Sequence, residues 1–85
     1  MTSYAVDWPE EVLSDLTDIW LRAPDRQAVT DAQARIDRLL GANPFGNGIH
    51  VSEGLYSLHA PPLAVSYTID PSARRVEIQS VSERA

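Results

Sequence analysis

The chain has 85 residues, enough for a single small domain with one core and little stability to spare. It has no cysteine and no lysine, and its seven arginines stand against twelve acidic residues for a net charge of −5. That excludes a disulfide or thiolate-zinc framework. It also argues against a domain built chiefly to grip nucleic-acid backbone, because phosphate neutralisation supplies most of that affinity. No apolar run approaches the roughly 18 residues of a membrane span, and no charged leader precedes an apolar stretch, so residues 1–85 read as one cytoplasmic domain.

Tyr4, Val6 and Trp8 alternate with Ala5 and Asp7, the pattern of a short first strand. Asp7, Pro9, Glu10 and Glu11 then signal a helix start, with Asp7 as the expected cap and the two glutamates complementing the positive end of the helix dipole. Val12, Leu13, Leu16, Ile19, Trp20 and Ala23 recur on one helical face. Pro24 ends that helix near Ala23, and Asp25 is placed to cap a second one. The second helix carries Ala28, Val29, Ala32, Ile36, Leu39 and Leu40 on its apolar face, with Gly41 as the expected C-cap and Pro44 barring resumption. Residues 42–54 have a loop composition, with Phe45, Ile49 and Val51 expected to pin the loop to the core.

Leu55 to His59 reads as the second strand, and Pro61 and Pro62 connect it to a third. From Pro62 to Val81 two strand patterns face each other across the turn Asp70-Pro71-Ser72. Leu63, Val65, Tyr67 and Ile69 share one face of the first arm, and Val76 and Ile78 one face of the second. The second pattern slips before Val81. A bulge near Gln79 or Ser80 would return Val81 to the core, while a solvent-facing Val81 fits the pattern equally. The order strand, helix, helix and three consecutive strands predicts an α+β domain with an antiparallel helix hairpin on one face of a mostly antiparallel sheet.

This order and its wording resemble the RelE/ParE superfamily of toxins from type II toxin–antitoxin systems, including plasmid-stabilisation-like members. The likeness lies in the strand and Pro-started helix from Tyr4 to Glu11, in the stretch Ala32 to Pro44 (AQARIDRLLGANP), in Leu63 to Tyr67 where the family often has Tyr-Arg-Val-x-Tyr, and in Val76 to Arg84 where it has Val-x-Ile-x-x-Val-x-His-Arg. The resemblance implies a cognate antitoxin as partner, bound as an extended or helical segment in grooves beside the helix hairpin or as a strand added at the sheet edge. It further implies, as alternatives, ribosome-dependent cleavage of mRNA or inhibition of DNA gyrase. The departures bear on chemistry: Ala64 stands at the basic position of the third strand, the family's lysines have no counterpart, and Glu83 replaces the His of the last motif.

Cleavage by attack of a 2′-hydroxyl needs a proton acceptor, a donor for the leaving oxygen and positive charge on the phosphorane. The candidate catalytic residues are Tyr67, Arg75 and Arg84, with His59 or Glu77 as base. Against this stand plainer roles, Tyr67 as a core aromatic and Arg74 and Arg75 as solvated charge at a strand opening. Candidate partner-binding residues are Trp20, Leu16 and Val12, with Trp20 as anchor. His50, Glu53 and His59 lack the spacing of a metal site, Asn47-Gly48 is a turn dipeptide, and Gly46, Gly48 and Gly54 match no phosphate-binding fingerprint. No cofactor or metal is assigned.

Overall fold

Alternation from Leu63 to Asp70 makes the strand around which the fold assembles. The computed structural model, which describes residues 3–84, places that strand at the centre of a five-stranded sheet. The elements are β1 (Ala5–Asp7), α1 (Glu10–Arg22), α2 (Arg26–Ala42), α3 (Pro44–Asn47), β2 (Ile49–Ser52), β3 (Leu55–Ala60), β4 (Leu63–Asp70) and β5 (Arg75–Glu83). The sheet order is β1-β5-β4-β3-β2. β1 runs parallel to β5, and the remaining pairs are antiparallel. The α+β architecture predicted from the sequence is therefore present, with one more strand and one more helical turn.

The core lies between the helix pair and one face of the sheet. Val12, Leu16 and Ile19 of α1 and Val29, Ala32, Ile36 and Leu40 of α2 are buried against Leu63, Val65 and Tyr67 of β4 and Val76, Ile78 and Val81 of β5. Between β4 and β5, Ser66 pairs with Ser80 and Tyr67 with Ile78, leaving Gln79 as the extra residue of a bulge. This irregularity carries Val81 back to the core face, where it is buried. The β4–β5 turn is held by Asp70, whose Oδ1 accepts from Ser72 Oγ at 2.8 Å and from Ala73 N at 3.2 Å. These bonds, the Ser72 hydroxyl first, lower the Asp70 pKa.

Two helix ends differ from expectation. Pro9 is the N-cap of α1 and no side chain caps it; Asp7 is occupied with Arg75, its Oδ2 lying 3.5 Å from Nη1. Asp25 does cap α2, accepting from Ala28 N at 3.1 Å. That helix continues through Gly41 to Ala42 and ends at Asn43. Burial of Leu40 and the bond from Tyr4 N to the Gly41 carbonyl, 2.8 Å, hold the last turn in place.

The segment expected as a loop contains α3 and β2. Pro44 is buried and opens a helical turn in which Asn43 Oδ1 accepts from Gly46 N at 3.0 Å. β2 joins β3 as an edge strand with all four residues exposed. Ile49 and Val51 are 71% and 57% exposed, so they do not pin the segment. Phe45, also exposed, packs edge-to-face on Tyr4 and Tyr56 with centroids 6.4 and 5.9 Å apart. Gly54, at φ +76°, closes the β2–β3 turn in the left-handed region that suits glycine. Among the described residues no helix is long and apolar enough to cross a membrane.

Candidate functional site

The helices cover one face of the sheet, and the other face carries the side chains that alternate away from the core. Across β3, β4 and β5 the register aligns Ser57, Ser66 and Ser80 in one row and His59, Ala64 and Ser82 in the next. Ser66 Oγ and Ser80 Oγ share a hydrogen bond of 2.5 Å. With Arg84 these residues line an open groove of about 510 Å³, and among the described residues no carboxylate takes part in its lining. In a chain of net charge −5 that local balance is unusual. The groove offers a guanidinium, an imidazole and four hydroxyls over a floor made low by Ala64, an arrangement able to hydrogen-bond an anionic group.

The three residues proposed for catalysis do not meet there. Tyr67 alternates with Ser66 and therefore points into the core, where it is fully buried. Its hydroxyl donates to the Pro44 carbonyl at 2.7 Å, and its ring stacks on Tyr56. Burial, with the neighbouring Tyr56 as a lesser cause, pushes its pKa up to about 12, so the phenol is a poorer proton donor than in water. Arg75 and Arg84 lie at opposite ends of β5, whose nine residues extend about 30 Å at roughly 3.3 Å per residue. Arg84 reaches the groove, whereas Arg75 faces Asp7. Of the candidate bases, His59 lines the groove and Glu77 sits farther along β5, opposite Thr68. The four serines were not singled out from sequence, although the signal that finds them, polar residues at every second position, is the one that located the strands.

The partner-binding candidates also separate. Val12 and Leu16 are 5% and 6% exposed and belong to the core, because the sheet covers that part of the α1 face. Trp20 is 37% exposed. Its Nε1 donates to Thr30 Oγ1 of α2 at 3.3 Å, and the Arg26 guanidinium lies 4.7 Å from its ring centroid. Beside it runs a depression of about 230 Å³ between the helices, with Leu13, Thr17 and Trp20 on the α1 side and Leu16 and Val29 at its floor. Leu13 and Leu21 are exposed as well. The flank of α1 turned away from this depression carries Glu11, Asp15 and Asp18 with only Arg22 to offset them, and Arg22 lies 3.5 Å from Glu83.

No family model and no curated protein matches the chain, but solved structures do. The toxin–antitoxin complex RelBE2 from Mycobacterium tuberculosis aligns over 100% of this chain and 95% of its own, with TM-score 0.82 and 20% identity. The fold is that of the RelE toxins. The archaeal RelE–RelB complex from Pyrococcus horikoshii aligns over 99% of this chain and 98% of its own, with TM-score 0.71 and 13% identity. The isolated RelE toxin of Escherichia coli aligns over 98% and 86%, with TM-score 0.67 and 14% identity. At these identities the likeness is one of fold, and the groove on the open face of this RelE-like sheet is lined by four serines, His59 and Arg84.

Proposed function

We propose that this chain is the toxin-like member of a toxin–antitoxin pair, a single RelE-like domain acting in the cytoplasm, and that its principal property is binding an antitoxin segment along the helix hairpin. The observation that carries the reading is the exposed apolar pair Leu13 and Trp20 of α1 at the depression floored by Leu16 and Val29. It lies on a fold whose solved relatives include RelBE2 and RelE–RelB complexes. Trp20 supplies a large aromatic surface with a polar edge, the kind of side chain that dominates interface energy. The test is co-expression with the product of the adjacent reading frame. A partner that binds only the folded chain at a hundredfold excess over its Kd adds about 2.7 kcal/mol of stability, so the complex co-purifies and melts higher. Trp20→Ala abolishes the shift while leaving the free chain folded. No co-purifying neighbour, or a shift untouched by Trp20→Ala, overturns the reading.

A second reading, cleavage of ribosome-bound mRNA, draws on the serine-lined groove with Arg84 and His59. The separation of Arg84 from Arg75 and the inward Tyr67 weigh against it, since charge without a placed acid and base supplies only part of the stabilisation. Purified chain is expected to bind single-stranded RNA weakly, to release it at physiological salt, and to leave mRNA uncut on translating ribosomes. Cutting that is lost in Arg84→Ala would establish the nuclease.

A further inference from the structure

The chain contains two asparagines, Asn43 and Asn47. Asn43 precedes Pro44, whose nitrogen carries no hydrogen, whereas Asn47 precedes Gly48, whose missing side chain leaves the backbone nitrogen open to approach. Asn47 ends α3, is exposed, and is tied down by its own amide: Nδ2 donates to the Leu39 carbonyl at 2.9 Å. That carbonyl also accepts from Asn43 N at 3.0 Å and belongs to the last turn of α2. Gly48 is extended at φ −116°, ψ −179° and lies against the Tyr67 hydroxyl and the Ser57 carbonyl so closely that an added Cβ would overlap both.

We propose that Asn47–Gly48 is a self-modification site, closed while α3 is folded and open when α3 detaches, whose product cannot be refitted into the fold. The Gly48 backbone nitrogen attacks Asn47 Cγ, forming a C–N bond as the Cγ–Nδ2 bond breaks. The backbone amide proton passes to the departing nitrogen, which leaves as ammonia. Water then opens the cyclic imide at one of its two carbonyls, giving aspartate or isoaspartate at position 47. Neither product fits. Aspartate replaces the donor to Leu39 by a carboxylate facing a helix C-terminus, where the dipole and the acceptor both repel it. Isoaspartate lengthens the backbone by one carbon next to Gly48, where the Tyr67 hydroxyl leaves no space. Aspartate therefore strikes the end of α2 at Leu39, and isoaspartate the contact through which Tyr67 holds Pro44. In the intact fold the bond to Leu39 and the helical turn hold the side chain from its own backbone, so reaction waits on local opening.

The full chain, incubated folded and in denaturant at mildly alkaline pH, is followed by peptide mapping with an isoaspartate-specific methyltransferase. The expected result is modification at position 47 and none at 43. Its rate in the folded chain is lower by about tenfold or more and rises with mild denaturant, as opening does. The modified fraction melts below the parent, as does the Asn47→Asp chain. Asn47→Gln, whose larger ring closes far more slowly, loses native signal more slowly than the parent, a readout that stands even if Asn47→Asp does not fold. Equal rates folded and denatured, an unmodified position 47 in denaturant, an aged fraction melting with the parent, or equal loss of native signal in Asn47→Gln would each overturn the proposal.

Discussion

Tyr67 joins three parts of the molecule through one hydroxyl: it stands on β4, holds the Pro44 carbonyl at the start of α3 and lies over Gly48. Removing that hydroxyl strands a buried acceptor, and Tyr67→Phe is expected to cost about 1–3 kcal/mol in denaturant unfolding. The same residue gives the molecule an alkaline limit. Its ordinary value is 10.0, and burial raises it to about 12, so the folded state keeps a proton that the unfolded state gives up in that interval. Stability contributed by neutral Tyr67 is complete below about pH 10 and is lost as pH climbs towards about 12, by about 3 kcal/mol in all. A pH series of melts on Tyr67→Phe should lack this part of the decline. Parallel alkaline profiles for the two chains would show that the hydroxyl is not held neutral by the core.

At the scale of elements, the bulge at Gln79 reconciles a nine-residue strand with one core face. Deleting Gln79 lets Ser80 follow Ile78 with the alternation intact, so the shortened chain should still unfold cooperatively, losing only the local twist that a bulge adds. Deleting Glu77 sends Ile78 to the open face and inverts the in–out alternation as far as the bulge; that chain should show no sharp thermal transition, and a sharp one would discredit the register. The slip itself was legible in the sequence because Val76, Ile78 and Val81 are large and apolar, but the pattern fits a solvent-facing Val81 equally, and only the register between β4 and β5 decides for the bulge. α1, α2 and β4 were legible for the same reason, each having a buried stripe at its own period. β2 was not, since with every residue exposed it has no stripe to read and its membership of the sheet comes from backbone pairing alone. The open groove was half legible: alternation separates Ser66 from Tyr67, but alignment of Ser57, Ser66 and Ser80 into a row needs the register between strands. Val12, Leu16 and Trp20 share an apolar face in sequence, and only the packed sheet decides that the first two are core and the third is surface.

For the whole molecule, β5 is the strand on which the others depend, lying between β1 and β4. A chain ending after Asp70 leaves β4 as an apolar open edge and β1 without a partner, and it should lose cooperative unfolding and expose hydrophobic surface. A sharp melt of that fragment would contradict the topology. The parallel seam pairs Ala5 with Arg75 across nearly the whole described chain, whereas β3, β4 and β5 pair with sequence neighbours. Closing so long a loop costs entropy that a seam of three residues, two of them exposed, repays only once the rest is in place. β1 should therefore dock after the rate-limiting step of folding. Val6→Ala would leave the refolding rate unchanged and speed unfolding by the full loss of stability, giving a φ-value near zero in stopped-flow chevrons; a slowed refolding limb would place the seam in the nucleus. The half-life of the folded molecule, as distinct from the speed with which it forms, is then governed by the grip of its first strand.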